Sequence, residues 1–449
     1  MLSEQELRKR MESAGQSHVF QYWEALSSAE REILLCQLSS IDLNLIQSLH
    51  QKGESESKLP PLEDLHIPDG TEPGEREKEI GQSMLKNGEV AVILVAGGQG
   101  SRLEFPHAKG MFPIGPVSGH TLFQIHIEKI RALGQRYGKT PLLLIMTSEA
   151  TDAEVRQFFE ENQNFGLATD DVVFFCQKSL AAMSMDGKLL MEKKNRVFTS
   201  PNGHGGVLQA LHDHQIMELL ESRGVKDIFY YQVDNPLVRV AEPAFLGAHR
   251  DAESDVSIKV VRKKQWNEPI GNFVLNKGRC DMIEYTELPD EWKKMENDDG
   301  RLKFWAGSIA IHIFSFSFLN EMVRNYDSLP YHIAKKKVAH LDDPDPGEKN
   351  ALKFERFIFD VLPKAERFTL VETSHEEEFE PLKNKDGDNS PETVKSAMSN
   401  LARGWLTQAG VEVAEDVNVE ISPLFALDKE ELTSKVDSST RVESHRFFK

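Results

Sequence analysis

The chain has 449 residues, of which 39% are hydrophobic and 28% are charged, and its formal net charge is −19. This composition is typical of a globular protein with two or three domains, and the negative charge disfavours nucleic acid and anionic membranes as partners. The longest wholly apolar run, residues 90–96, is far shorter than the roughly 20 residues of a membrane-spanning helix. An acidic N-terminal segment and three widely spaced cysteines predict a cytoplasmic protein without a zinc site.

The first 85 residues are predicted to form a small helical region followed by a linker. Apolar residues recur every three or four positions from residue 3 to about residue 50, which predicts helices. Residues 51–79 are polar and acidic and contain four prolines, so they are expected to run extended over the surface.

Strand and helix patterns alternate between residues 86 and 385, which predicts an α/β domain with a mixed or mainly parallel sheet between helices. The predicted strands are 90–96, 142–146, 172–177, 227–233 and 255–261, and the predicted helices are 122–137, 151–162, 207–223 and 348–364. Thr151 and Glu154 have the spacing of a capping box, and a hairpin is predicted around residues 276–278. Residues 386–449 follow a turn-rich break and are expected to form a C-terminal domain.

A glycine-rich loop follows the first apolar strand. It contains Gly97, Gly98 and Gly100, and the basic residues Arg102 and Lys109 come next. Glycine lets the main chain approach a ligand closely and turn its N–H groups toward anionic oxygens. The spacing lacks the third glycine of a dinucleotide fingerprint and the Gly-Lys-Ser/Thr of a P-loop, which argues against a dehydrogenase. The loop therefore predicts a different phosphate-binding site, with a ligand-free strand-to-helix turn as the alternative.

Further polar residues follow other predicted strands, and ligands of open α/β sheets gather at such strand ends. The third strand ends in Gln177, and Asp234 follows the fourth. A strand-end aspartate beside a phosphate loop is a candidate magnesium ligand, although Asp-Asn-Pro is also a good turn sequence. Residues 200–206 form a second glycine loop that opens a helix, where N–H groups favour an anion.

Taken together, the motifs resemble those of the eukaryotic-type UTP:sugar-1-phosphate uridylyltransferases, the UDP-N-acetylglucosamine and UDP-glucose pyrophosphorylases. The likeness rests on residues 96–103, 109–111, 174–177, 182–188, 202–206, 233–235, 268–271, 283–285, 306–308, 353–355 and 381–384. It implies a Rossmann-like nucleotide-diphospho-sugar transferase fold of the GT-A-like type, whose mixed central sheet is flanked by helices. Residues 86–385 would be the catalytic nucleotidyltransferase domain, between small N-terminal helical and C-terminal domains.

The resemblance also implies a reaction in which a sugar 1-phosphate attacks the α-phosphorus of UTP and pyrophosphate leaves, with Mg²⁺ required. UTP would be bound by Val95, Ala96, Gly97, Gly98, Gln177 and Gly203. Phosphate charge would be neutralised by Arg102, Lys109, Lys353 and Lys383, and the metal would be held by Asp234. The sugar would contact His204, Gly271, Glu284 and Ser308.

Two residues near the first loop depart from the family pattern. Glu104 stands where glycine is usual, and Ala108 stands where proline is usual. A carboxylate pointing inward at position 104 would repel the triphosphate, so Glu104 is expected to point outward or to pair with a basic residue.

The sugar remains open between N-acetylglucosamine 1-phosphate and glucose 1-phosphate. His204 and Ser308 occupy positions where the N-acetylglucosamine enzymes carry asparagine. A non-catalytic nucleotide-sugar-binding or regulatory protein of the same fold is the alternative function. Retention of Arg102, Lys109, Asp234, Lys353 and Lys383 favours the enzyme, because a binding protein has little need of every group that would neutralise a transition state.

Overall fold

A computed structural model of the chain describes residues 2–52 and 59–449. Contacts divide the chain into a smaller unit, residues 1–58, 177–208 and 327–360, and a larger unit, residues 59–176, 209–326 and 361–449. The predicted boundaries near residues 85 and 385 follow chain order, whereas this division brings separate segments of the chain together. Part of the predicted linker, residues 53–58, lies outside the described residues.

The helices and strands are numbered in chain order. The α-helices are α1 (Glu4–Ser13), α2 (Ser28–Ser40), α3 (Leu43–Lys52), α4 (Glu75–Asn87), α5 (Leu122–Tyr137), α6 (Asp152–Glu161), α7 (Gly206–Asp213), α8 (Ile216–Ser222), α9 (Pro243–Asp251), α10 (Asp290–Lys293), α11 (Phe316–Arg324), α12 (His375–Glu378), α13 (Pro391–Gln408) and α14 (Lys429–Lys435). The strands are β1 (Leu65–His66), β2 (Val90–Val95), β3 (Leu142–Ser148), β4 (Val172–Gln177), β5 (Ser179–Ala181), β6 (Met183–Ser184), β7 (Met191–Lys193), β8 (Arg196–Val197), β9 (Thr199–Pro201), β10 (Asp227–Gln232), β11 (Val256–Arg262), β12 (Asn272–Asn276), β13 (Arg279–Ile283), β14 (Ala306–Ser315), β15 (His332–Lys336), β16 (Ala351–Glu355), β17 (Phe368–Thr373), β18 (Glu412–Val413), β19 (Val419–Ile421), β20 (Arg441–Val442) and β21 (Arg446–Phe448).

The larger unit is built on a mixed sheet, as the sequence predicts, and the structure gives its strand order as β1-β12-β14-β10-β2-β3-β4. Strand β2 is parallel to both β10 and β3, whereas β14 is antiparallel to β10. β11 pairs with β14 and with the parallel strand β17, and β13 pairs with β12. The unbroken apolar run of β2 is explained by its central place, because a parallel strand covered on both faces is buried along its length.

Helices cover this sheet, and their ends follow local sequence signals. The Thr121 side chain accepts a hydrogen bond from the Gln124 N–H at the start of α5, and Gly138 ends that helix in the left-handed region at φ +81°. Helices α4 and α9 approach so closely that a Cβ at Gly81 would lie 1.8 Å from the Pro243 carbonyl oxygen. A glycine is therefore required at this helix crossing. None of the helices in the described part of the chain is long and apolar enough to cross a lipid bilayer.

The C-terminal part of the larger unit has a small core of its own. Helix α13 packs against β19, and two short parallel pairs, β18 with β20 and β19 with β21, complete it. Leu406, Val419 and Leu432 are fully buried there. Arg136 of α5 forms ion pairs with Asp428 and Glu431, which attaches this part to the helices on the sheet.

The smaller unit combines the N-terminal helices with short strands. Helices α1–α3 are found where periodicity predicts helical structure, and they share a core with the three-stranded sheet β15-β16-β6. Leu7 and Leu34 from the helices and Phe354 from the sheet are among its most deeply buried side chains. The core of this unit is thus assembled from segments far apart in sequence.

Several sequence predictions need correction. The predicted helix 348–364 is wrong, because β16 pairs with β15 and β6 and a 3₁₀ segment follows it. The predicted helix 207–223 is interrupted, since Gln215 has φ +53° between α7 and α8. The predicted linker contains β1 and ends where α4 begins at Glu75. The hairpin is confirmed, and both residues of its turn, Lys277 and Gly278, have positive φ.

Candidate functional site

The first glycine loop leaves β2 in the larger unit with its backbone held at both ends. The Ala96 N–H donates to the Met146 carbonyl, and the Ser148 hydroxyl donates to the Gly97 carbonyl at 2.8 Å. A Cβ built at Gly98 would have no other heavy atom within 4 Å, so the main chain there is open to close approach. These contacts fix the exit from the strand while Gly98 remains accessible, as a phosphate-binding loop requires.

The loop then folds back so that Lys109 returns to its starting point. The Gly100 N–H donates to the His107 carbonyl at 3.2 Å, and the Lys109 N–H donates to the Gly98 carbonyl at 3.1 Å. A Cβ at Gly110 would lie 2.3 Å from the ring of Phe123, so the chain after Lys109 lies directly on α5. Arg102, in the short 3₁₀ turn between these contacts, is exposed.

Lys109 and Asp234 meet at the carboxyl ends of the parallel strands β2 and β10. Lys109 Nζ lies 3.4 Å from Asp234 Oδ2, and the two side chains are only 18% and 13% exposed. The structure thus brings together the predicted leaving-group lysine and the predicted metal ligand. Their opposite charges share a partly buried place in which water screens them weakly.

Helix α5 supports the chain on both sides of Asp234. His126 Nε2 donates to the Val233 carbonyl at 3.0 Å, and burial lowers the pKa of His126 to about 3, so its imidazole is neutral. Lys129 Nζ donates to the carbonyls of Pro236 and Val238, and burial lowers the pKa of Lys129 to about 7, with the charge of Glu378 opposing. These contacts fix the backbone that carries the carboxylate.

The segment that carries Lys383 is bonded directly to the Asp234 turn. The Leu382 N–H donates to the Asp234 carbonyl at 2.8 Å. Asn235, which is 3% exposed, donates from Nδ2 to the Glu378 carbonyl and accepts from the Glu380 N–H. Lys383 therefore follows a backbone that is tied to the predicted metal ligand.

A buried ionic network lies behind this turn. Lys259 is 1% exposed and places its ammonium 2.5 Å from carboxylate oxygens of both Glu242 and Glu378. Arg239 pairs with Glu242, and its backbone N–H donates to Glu378. Burial alone would raise the pKa of Glu242, but the charges of Lys259 and Arg239 lower it below its ordinary value. The network is paired throughout, which is the condition for keeping charges in the interior.

Glu104 points away from the phosphate loop, as expected. Its side chain is 71% exposed, and its carboxylate lies 2.7 Å from Lys385 Nζ. This contact raises the pKa of Lys385 above its ordinary value. The backbone of Glu104 has φ +52° and ψ +31°, in the left-handed region where glycine is favoured.

Three predicted sugar contacts, Gly271, Glu284 and Ser308, lie close together on neighbouring strands. The Ser308 N–H donates to the Gly271 carbonyl at 2.8 Å, and a Cβ at Gly271 would lie 3.8 Å from Glu284 Oε1. The pairing of β11 with β14 shifts register between Lys259 and Val260, opposite this part of β14. Such bulges re-aim side chains and recur beside active sites.

Lys263 and Asn272 form a buried pair next to these contacts, and sequence reasoning missed both. Lys263 Nζ donates to Asn272 Oδ1 at 2.6 Å, and Asn272 donates from Nδ2 to the Ile283 carbonyl. Burial lowers the pKa of Lys263 to about 8, with the charge of Glu268 opposing. A basic residue just past the end of β11 was a detectable signal, because it occupies the same kind of strand-end position as Asp234.

In the smaller unit, the second glycine loop packs tightly against the chain that follows β16. Gly203 has φ +69°, and a Cβ there would lie 2.4 Å from the Arg356 carbonyl oxygen. The Gly205 N–H donates to that same oxygen, and the Gly206 N–H donates to the Gly203 carbonyl. Gln177, which is 4% exposed, has its Oε1 2.9 Å from the position of a Cβ at Gly206. Gln177 and the loop are thus neighbours in the smaller unit.

His204 is held by the same segment. Its Nδ1 accepts the Ile358 N–H at 3.1 Å, and its ring lies 5.2 Å from the ring of Phe357. Burial, helped by the nearby charge of His332, lowers the pKa of His204 to about 4. A neutral imidazole that accepts at Nδ1 carries its proton on Nε2, so His204 offers a hydrogen-bond donor.

Lys353 lies on β16 of the smaller unit, on a strand and not on the predicted helix. Its ammonium is 5.0 Å from the centre of the Phe198 ring. Burial lowers the pKa of Lys353, Glu355 opposes this, and Lys336 adds to it. Because burial disfavours the charged form of this lysine, an anionic ligand beside it would stabilise that form.

The acidic residues of the larger unit fit a metal ion that binds together with the phosphates of a nucleotide. Among residues 2–52 and 59–449, no three His, Cys, Asp or Glu side chains converge to hold a metal ion. Asp234 nevertheless presents one carboxylate beside the glycine loop. Mg²⁺ bound to a nucleotide needs only one or two protein carboxylates, because phosphate oxygens and water complete its coordination. The donor set therefore fits a magnesium nucleotide.

Comparison with known proteins agrees with this arrangement. The sequence profile of the family described as UTP–glucose-1-phosphate uridylyltransferase matches residues 36–443. The chain is 36% identical to UDP-N-acetylhexosamine pyrophosphorylase-like protein 1 of Xenopus tropicalis, covering 94% of this chain and 88% of that one. It is 34% identical to UDP-N-acetylglucosamine pyrophosphorylase of Saccharomyces cerevisiae, with 94% of each chain covered. The crystal structure of the Trypanosoma brucei uridine diphosphate N-acetylglucosamine pyrophosphorylase in complex with inhibitor has a TM-score of 0.82 at 26% identity, with 99% of each chain covered.

Proposed function

Because the chain belongs to the UTP–glucose-1-phosphate uridylyltransferase family and is a UTP:sugar-1-phosphate uridylyltransferase, we propose roles for its residues and an order of preference for its sugar. The observation that carries the assignment is the partly buried pair of Lys109 and Asp234 beside an open glycine backbone. In the larger unit, these groups meet where β2 and β10 end, which is where α/β sheets bind nucleotides.

The reaction that we propose needs positioning and charge, and no covalent intermediate on the protein. A phosphate oxygen of the sugar 1-phosphate attacks the α-phosphorus of UTP, and the bond from that phosphorus to the bridging oxygen of the β-phosphate breaks. Arg102 and Lys109 stabilise the departing pyrophosphate, and Lys353 and Lys383 neutralise charge on the reacting phosphates. The attacking phosphate is already deprotonated, so a general base is not required.

Asp234 would hold Mg²⁺, which when bound supplies positive charge to the phosphate oxygens. Val95, Ala96, Gly97 and Gly98 would hold the nucleotide through the main chain. By the family resemblance, Gln177 and Gly203 would contact the uridine. The three cysteines are free thiols, which supports a reducing, cytoplasmic setting.

For the sugar, we propose N-acetylglucosamine 1-phosphate first and glucose 1-phosphate second. This order follows the names of the relatives at 34% to 36% identity. By the family resemblance, Gly271, Glu284 and Ser308 would contact the sugar. His204 would contact it as well, through the proton on its Nε2. His204 and Ser308 are the residues that would set the preference between the two sugars.

The experiment is a pyrophosphate-release assay with UTP and each sugar 1-phosphate, with and without Mg²⁺. We expect metal-dependent release by the wild-type protein and a loss of about 100-fold or more in kcat/KM for Asp234→Ala. Asp416→Ala, which removes an exposed carboxylate from the C-terminal part, serves as the control. Binding of UDP-sugar without turnover of either sugar would refute the enzyme assignment.

For specificity, His204→Asn combined with Ser308→Asn should raise the ratio of kcat/KM for N-acetylglucosamine 1-phosphate to kcat/KM for glucose 1-phosphate. An unaltered ratio would contradict the proposed role of these two residues.

A further inference from the structure

A carboxylate from outside the first glycine loop is bonded to the two residues that precede Lys109. Glu154 belongs to α6, where it was predicted to complete a capping box with Thr151. That prediction is wrong, because the Thr151 side chain caps nothing at the start of α6. Glu154 Oε1 instead lies 2.5 Å from His107 Nδ1, and Glu154 Oε2 accepts the Ala108 N–H at 3.0 Å.

The bond from the Ala108 N–H to Glu154 satisfies a donor that the loop-closing backbone bonds do not use. The backbone bonds that close the loop use the N–H groups of Gly100 and Lys109 and the carbonyls of His107 and Gly98. Ala108 lies between the two residues that make those bonds and is 1% exposed. An unpaired N–H at such a buried position costs free energy, and a carboxylate is a stronger acceptor than a neutral oxygen.

Helix α6 gives Glu154 a fixed base. Val155 and Phe159 on the same helix are 0% and 1% exposed, and the Phe159 ring packs against Phe123 of α5 at 5.1 Å. Phe123 is the residue on which Gly110 rests. The segment 107–110 is thus held on one side by Glu154 and on the other by Phe123, and both contacts trace back to one packed pair of helices.

We propose that Glu154 is a positioning residue that orients Lys109 toward the phosphates of the nucleotide. It acts through the backbone of Ala108 and does not touch the substrate. The ammonium of Lys109 is placed beside Asp234 because the preceding residues cannot shift along the loop. This inference rests on the proposed function of Lys109.

The role predicts a defect confined to ligands that carry the outer phosphates. In Glu154→Ala, KM for UTP should rise about tenfold or more, because a small displacement of a charge-bearing loop weakens every contact to the β- and γ-phosphates. The affinity for UMP should stay within about twofold, since UMP lacks those phosphates. Titration calorimetry with UTP and with UMP, on the wild type and the variant, gives the affinity ratio directly. A residue needed only for folding would alter both affinities together.

Two rescues separate positioning from general stability. Glu154→Gln keeps an oxygen that can accept the Ala108 N–H, so its KM for UTP should lie within about threefold of wild type. Ala108→Pro removes the N–H at a position whose φ of −55° already suits proline, so adding Glu154→Ala to it should cost much less than in the wild type. Glu160→Ala, which removes an exposed carboxylate from the same helix, is the matched control.

The outcomes distinguish this inference from the function beneath it. A wild-type protein that turns over no sugar 1-phosphate removes the proposed function, while the UTP-to-UMP affinity ratio still reports on Glu154. An active wild type with an unchanged affinity ratio in Glu154→Ala overturns the positioning role alone. Equal losses in the single variant and in the Ala108→Pro background would also overturn it, because the bond to Ala108 would then carry no effect.

Discussion

Residues 97–110 and residues 202–206 are both glycine-rich loops that follow a strand, but their glycines meet different surroundings. At Gly98 a Cβ would have no other heavy atom within 4 Å, whereas at Gly203 it would lie 2.4 Å from the Arg356 carbonyl oxygen. The first loop leaves main chain open for a ligand, and the second brings two stretches of main chain into contact. The glycine content of the two loops is similar, so the sequence does not separate a ligand-binding loop from a packed one. What separates them is whether another part of the chain packs against the glycines.

Alanine substitutions test this contrast most strongly. Gly203→Ala should lower the free energy of unfolding by about 3 kcal/mol, because it adds a clash with backbone to a positive φ. Gly98→Ala should change it by less than about 0.5 kcal/mol but raise KM for UTP severalfold, since the methyl group occupies the ligand's approach. Urea denaturation and steady-state kinetics measure the two effects. Similar stability losses in both variants would contradict the contrast.

Acid should weaken the second loop through His204. His204 has a pKa of about 4 in the folded protein, against about 6.5 in an unfolded chain. The unfolded state therefore binds the proton more readily between these values. The stabilisation is complete above pH 6.5 and declines by up to about 1.4 kcal/mol per pH unit as the pH falls toward 4.

His204→Asn isolates this contribution, because asparagine keeps an acceptor for the Ile358 N–H and does not titrate. Between pH 7 and pH 5, the wild type should lose more unfolding free energy than the variant. His332, whose charge acts on His204, and its partner Asp360, 3.0 Å away, remain in both proteins. His212→Asn, which removes an exposed imidazole outside this loop, is the matched control variant. Parallel pH curves for wild type and His204→Asn would refute the assignment.

The smallest effect concerns backbone strain in the first loop. Glu104 has φ +52°, so Glu104→Gly should stabilise the protein by up to about 1 kcal/mol, less whatever the exposed ion pair with Lys385 contributes. Because the carboxylate points outward, kcat/KM should remain within about twofold. Lys385→Ala tests the ion pair alone. A large loss of activity in Glu104→Gly would mean that this side chain serves the phosphate site after all.

Local sequence patterns predicted those elements whose structure depends mainly on local signals. The strand β4 and the helix α5 have the predicted bounds, and Asp234 follows its strand as expected. The helix prediction was wrong at residues 351–355 because their apolar spacing is typical of a helix, whereas pairing with β15 and β6 makes them a strand. Non-local pairing of this kind cannot be read from a single segment.

The sequence predicted the main charged residues of the site but not the residues that hold them in place. Lys109 and Asp234 follow from motif and strand-end reasoning, and the structure places them together. Glu154 was assigned to a helix cap because its real partners, His107 and Ala108, lie in another loop. The strand-end position of Lys263 was a readable signal, but its burial and its bond to Asn272 depend on segments that are apart in sequence.

The bond from the Leu382 N–H to the Asp234 carbonyl has a consequence for how this chain can vary in length. This one backbone bond fixes the position of Lys383 along the chain relative to Asp234. The N–H groups of Lys383 and Asn384 both donate to the Asn389 carbonyl. A residue inserted or deleted between 378 and 383 would move the lysine along the chain by a full step and turn its side chain away. The exposed turn at 385–388 can change length without that penalty. Natural variation in length should therefore accumulate in the turn and be absent from the few residues before it.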